Sequence, residues 1–127
     1  MRLRLRRWHV VRRWLLLAGA ICSEVTGSLC MQGALDRPVL YVPVAAGFLT
    51  SFVLLTAALR MGLAIGVAYG IWAACGVALT GLLSSLIFDQ ALTWLMGLGF
   101  LLVIVGVLLV EMGSAGVASD DAAGSAL

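Results

Sequence analysis

Four long stretches of the chain run apolar with almost no polar relief. Residues 14–31 contain a single charged side chain, Glu24, and residues 39–59, 61–88 and 91–110 contain none. The apolar positions follow neither a period of two nor a one-sided helical stripe, which is the pattern of helices surrounded by oil on all sides. A bilayer core about 30 Å thick takes about 20 residues of helix. Each stretch is long enough, and the spans are placed at about 14–32, 39–60, 65–87 and 92–112.

Between the spans stand Asp36-Arg37-Pro38, Arg60 and Asp89-Gln90. These are short turns, and a few residues cannot carry a chain back across a membrane, so each helix runs antiparallel to the next. The fold class expected is an all-α membrane protein, a four-helix antiparallel hairpin array at residues 14–112. A basic arm at 1–13 and a small-residue tail at 113–127, both expected to be mobile, flank it.

Composition agrees with lipid as the solvent. Of 127 residues 63% are hydrophobic and 11% charged, whereas a water-soluble domain keeps roughly a quarter of its residues charged. An Arg-rich start followed by an apolar run and Ala18-Gly19-Ala20 has the outline of a signal peptide. The apolar run, however, continues through Met31, which is membrane-span length.

Charge sets an orientation. Six of the eight basic residues lie in the arm (Arg2, Arg4, Arg6, Arg7, Arg12, Arg13) and Arg60 shares their side, against Arg37 alone on the other. This bias predicts both termini in the cytoplasm of a multi-pass protein of the cell membrane. The arm is expected to meet anionic lipid headgroups rather than nucleic acid. Cys22, Cys30 and Cys75 lie within spans and His9 lies in the arm, with no metal-ligand spacing and no nucleophile–base pair. No cofactor is expected, and an enzyme reading has little to stand on.

Glu24 carries the candidate chemistry. A carboxylate near the middle of a span costs about 2.5–3.5 kcal/mol to insert, so it is expected to face protein or a water-filled cavity. A proton and an organic cation would compete for it. Leu17, Ala20, Ile21, Gly27 and Ser28 share its helix face at offsets of three, four and seven and would line a pocket, whereas Ser23 and Thr26 point away and can bond within the helix. In the third span, Gly66-Val67-Ala68-Tyr69-Gly70-Ile71-Trp72 puts a phenol and an indole three residues apart, a candidate cation box. In the fourth, Gly99 and Gly106 lie seven apart beside Leu102 and Val103, a face suited to another helix and hence to a dimer.

Taken together, these residues resemble the small multidrug resistance family of proton-coupled exporters, from about residue 15 to 112. Gly19-Ala20-Ile21-Cys22-Ser23-Glu24-Val25-Thr26-Gly27-Ser28 is similar to the family's first-span signature, and the stretch 66–72 to its third. The resemblance implies that Glu24 is the shared proton and substrate site, with Tyr69 and Trp72 contacting substrate and Gly76 and Ser84 further along that helix. Residues 99–107 resemble the dimerisation stretch. The implied assembly is an antiparallel dimer of oppositely inserted protomers with both acids in one chamber.

Departures from the family pattern are informative. Phe48 stands where a tyrosine is frequent, Gln32 where a lysine is common, and the turn at Asp36 is short. Gly27 occupies the position where the guanidinium-exporting branch carries Trp, which favours the drug-exporting branch; guanidinium or polyamine export, or a non-transporting partner subunit, are the alternatives. A seven-to-one charge tally suits one insertion direction, so an oppositely oriented homologue is the expected partner, with a homodimer as the other possibility.

Overall fold

The computed structural model describes residues 1–126. Among them are four helices long and apolar enough to cross a membrane: α1 (Arg2–Ala34), α2 (Tyr41–Arg60), α3 (Ile65–Phe88) and α4 (Trp94–Ser125). The array of antiparallel spans expected from the apolar pattern is present, and the chain is a multi-pass membrane protein.

The breaks fall where the polar residues stand. After α1, Arg37 is extended and Pro38 opens a one-turn 3-10 helix, Pro38–Leu40, leading into α2; proline suits a first helical position because its missing N–H would be unpaired there anyway. α2 ends at Arg60, and Gly62, with φ of +93°, supplies the left-handed step of the next turn. α3 ends in a left-handed Asp89, a conformation Asp tolerates better than bulkier residues. Thr93 caps α4 by accepting a hydrogen bond from the Met96 N–H at 3.3 Å.

Both ends, which composition marked as loose, are helical here. The arm is part of α1, and α4 continues through the tail to Ser125. No proline interrupts residues 2–34, whose first glycine is Gly19, and the anchored span supplies the nucleus that a free arm would lack. In the tail, Ser114 and Ser119 donate to carbonyls four residues back. The tail's final residue, Leu127, lies outside the described residues.

α1 packs on both α2 and α3, while α4 touches α3 alone among the described elements. The closest approach joins α1 and α2 at glycines: a Cβ on Gly47 would lie 2.9 Å from the Ser23 carbonyl oxygen and 3.0 Å from Gly27 Cα. Lipid tails are as apolar as leucine, so association of these helices rests on close van der Waals fit and hydrogen bonds. Leu17, Ala20, Ile21, Val25, Leu55, Ala58, Leu63 and Ala68 form the core where α1, α2 and α3 meet.

Candidate functional site

Glu24 lies about 15 Å along α1 from Trp14, near the middle of the bilayer core. Its side chain turns toward α3. A Cβ on Gly76 would lie 2.8 Å from Glu24 Oε2 and 3.3 Å from Cδ, so the missing methyl group is the space the carboxylate occupies. Oε2 is buried and receives no hydrogen bond among the described residues. A buried acceptor left in this state carries a desolvation cost that a proton or a cation would relieve.

One turn toward the N-terminal side of this layer lies a hydroxyl that ties three helices. Ser51 of α2, fully buried, donates to the Ala20 carbonyl of α1 at 2.8 Å, and Trp72 Nε1 of α3 donates to Ser51 Oγ at 3.2 Å. Its single proton and one of its lone pairs are both used. The indole is thereby fixed with its ring against Phe52, centroids 5.6 Å apart, and edge-on to Tyr69 at 5.7 Å. Tyr69 stays 45% exposed. Trp72 and Gly76 are one turn apart on α3, so the aromatic group stands directly above the carboxylate's contact.

Two turns toward the opposite membrane face, a second polar layer joins the helices. Ser84 Oγ lies 2.5 Å from Gln32 Oε1 and 3.2 Å from Gln90 Oε1. One hydroxyl hydrogen can serve one of these at a time. Gln32 thus links α1 to α3.

The residues picked out from the sequence fall into three sets. Glu24 and Gly76 come together, with Trp72 one turn away along α3 and Tyr69 beside Trp72. Gly27 and Phe48 also meet, at the α1–α2 crossing: a Cβ on Gly27 would touch Phe48 Cδ2 at 3.5 Å and the Val44 carbonyl at 3.4 Å. Leu17, Ala20 and Ile21 are closed into the three-helix core of the protomer, Ser28 is half-buried in α1, and Ser84 belongs to the outer layer. Thr26 bonds to the Cys22 carbonyl at 2.8 Å, within its own helix as expected.

Ser51 and Phe52 were not among the sequence candidates. A serine in an apolar span and a phenylalanine beside it carry no local signal. Their spacing to Phe48, three and four residues, was the available hint.

On α4, Gly99 and Gly106 have open space where a Cβ would stand, and Leu102 is exposed while Val103 is half-buried. The face toward α3 is a different one: Phe100, Val107 and Ser114, seven apart, meet Gly81, Gly70 and Gly66.

Among the described residues no group of His, Cys, Asp or Glu is placed to hold a metal ion. The family model described as Small Multidrug Resistance protein matches residues 12–110, which cover all four spans. Four membrane-crossing helices with one acid at mid-depth accord with that match, and the chain belongs to the small multidrug resistance family, dimeric membrane transporters of small molecules rather than enzymes.

Proposed function

We propose that the protein is a proton-coupled antiporter exporting lipophilic and quaternary ammonium cations, with proton and substrate competing for Glu24. The observation that carries this reading is the carboxylate itself: mid-membrane, with Oε2 unbonded against Gly76, one turn below an aromatic group whose indole Ser51 holds in place. Aromatic faces attract delocalised cations, most strongly where water is excluded. Tyr69 and Trp72 are assigned to substrate contact. Leu17, Ala20, Ile21, Gly27, Ser28, Phe48, Gly76 and Ser84 are assigned to the surrounding walls, the first three acting by setting helix spacing.

The drug-exporting branch is favoured by Gly27. The Val44 carbonyl and Phe48 stand within 3.5 Å of where its Cβ would be, so the tryptophan of the guanidinium branch has no room there without separating α1 from α2.

The working unit is proposed to be an antiparallel dimer in which the open α4 face, with Gly99, Leu102 and Gly106, meets its counterpart, while Val103, half-buried between Phe100 and Val107, backs that face from the α3 side. Seven arginines on one face against one on the other favour this chain inserting one way, termini in the cytoplasm, with an oppositely oriented homologue as the second half.

The test is binding of tetraphenylphosphonium to purified protein across pH. A cation held by the carboxylate is displaced by protons, so affinity falls as pH falls, and Glu24→Gln gives weak, pH-independent binding. A flat profile in the unmodified protein rules out the competition. Robust resistance from this chain expressed alone, with both orientations present, rules out the paired assembly.

A further inference from the structure

α1 has 33 residues and is about 50 Å long, against a hydrocarbon core of about 30 Å. The excess lies at its N-terminal end, where six arginines precede the apolar span. The headgroup layer on each side is about 5–8 Å deep, or four to five residues of helix. Residues 9–13 therefore lie within it, and Arg6 and Arg7 stand at its outer edge, within side-chain reach of the headgroups.

This segment does more than carry charge. Arg6, His9 and Arg13 are three, four and seven residues apart and share a helix face. With Arg7 beside them and Met61 closing the far wall from the α2–α3 turn, they line a groove of about 600 Å³. Side chains on a helix lean toward its N-terminus, so Arg13, rooted at the core boundary, reaches outward into the headgroup layer. Its Nε is buried and, among the described residues, receives no hydrogen-bond acceptor. Trp8 and Trp14, both exposed, bracket this layer at its outer and inner edges, where indoles sit at the membrane interface.

We propose that this groove is a binding site for the phosphate of an anionic phospholipid headgroup, separate from the transport site and independent of the cation it carries. Three guanidinium forks match the geometry of phosphate oxygens, and an acceptor for Arg13 Nε is what the groove lacks. A lipid is favoured over a free anion because the exposed apolar positions Val11, Trp14 and Leu15 continue from the groove into the core, offering acyl chains a path. It is favoured over the chain's own acidic tail because, among the described residues, α1 and α4 make no contact. Occupancy would hold the arm at one membrane face and so reinforce a single direction of insertion.

The experiment is lipid retention by the purified full-length protein, read by native mass spectrometry with phosphatidylglycerol and phosphatidylcholine offered together. Phosphatidylglycerol is retained preferentially. Each interfacial arginine contributes about fivefold, so removing three in Arg6→Gln/Arg7→Gln/Arg13→Gln weakens retention on the order of a hundredfold. Should half-buried Arg13 prove necessary for folding, the exposed pair Arg6→Gln/Arg7→Gln still gives a loss of roughly twentyfold.

Arg2→Gln/Arg4→Gln removes two charges farther out along the arm and outside the groove, and leaves retention within about threefold, the size of a weak, screened surface effect. Equal loss in this pair and in Arg6→Gln/Arg7→Gln would reduce the site to bulk charge and overturn the proposal. Equal retention of phosphatidylcholine would do the same. Displacement by inorganic phosphate at the lipid's own concentration would assign the groove to a soluble anion instead. Gain of lipid on Asp120→Asn/Asp121→Asn would assign it to the tail.

Discussion

The first three helices and the fourth are built on opposite plans, although both use glycine to bring helices together. α1 and α2 meet backbone to backbone, and buried hydroxyls cross-tie them to each other and to α3: Ser51 to Ala20 and Trp72, Ser84 to Gln32. α4 leans on α3 through Phe100, Val107 and Ser114 and leaves Gly99 and Gly106 facing open space. In lipid, a polar tie sets position because its loss leaves a donor or acceptor without water, whereas a glycine face sets only how near a neighbour can come. The candidate site is therefore tied together within one chain, and the proposed assembly surface is left open to another.

Breaking the first plan at its tightest point gives the largest effect. Gly47→Val puts side-chain atoms where the Ser23 carbonyl and the Gly27 backbone already stand, and neither can rotate away. Overpacking of this kind costs about 2–3 kcal/mol or more. Steric-trap unfolding in bicelles measures it, and a loss below about 1 kcal/mol would show the α1–α2 crossing to be looser than these distances.

Gly76→Ala sharpens the point, because there the obstructing atom is the end of a flexible side chain. The new methyl group displaces the Glu24 carboxylate at small cost to the fold but takes it from its place below Trp72. Cation affinity is expected to fall about tenfold, equivalent to about 1.4 kcal/mol, with unfolding little changed. Unaltered affinity by equilibrium dialysis would mean that this carboxylate position does not matter to binding.

The two plans were unequally legible from sequence. Span positions followed from the length of charge-free chain, and Glu24 stood out because a charge in such a stretch is expensive. Tyr69 and Trp72 were readable from helical spacing within one element. Ser51 was not, because its role exists only where three helices cross, and one hydroxyl in an apolar span looks the same whether it bonds to its own helix, as Thr26 does, or to two others. The helical arm was missed for a related reason: its arginines mark it as outside the oil, but continuity with an anchored helix decides its conformation. The short turn at Asp36 was read correctly because proline has few places to go.

Ser51→Ala tests the cross-tie directly. It leaves the Trp72 indole N–H and the Ala20 carbonyl without their shared partner, a cost of about 1–2 kcal/mol. It also frees the indole to turn, so Trp72 fluorescence anisotropy should fall and cation affinity with it. Ser51→Thr, which keeps the hydroxyl, should restore both more fully than Ser51→Cys. If alanine and threonine behave alike, the hydroxyl is only filling space.

The smallest effect on the chain itself is expected on α4, and it is the one that separates the plans most cleanly. Gly106→Val adds the same isopropyl group as Gly47→Val, but at Gly106 nothing lies within 4 Å of where the Cβ would stand. Unfolding of the isolated protomer should change by less than about 0.5 kcal/mol. The bulk instead stands on the face assigned to the partner helix, where close approach depends on small residues. Single-molecule photobleaching in liposomes should then show monomers where the unmodified chain, with its partner present, shows dimers. If the valine chain dimerises as before, α4 is not the assembly surface, and its open face needs another explanation. If instead the protomer itself is destabilised as much as by Gly47→Val, α4 belongs to the packed half, and the contrast between the two regions disappears.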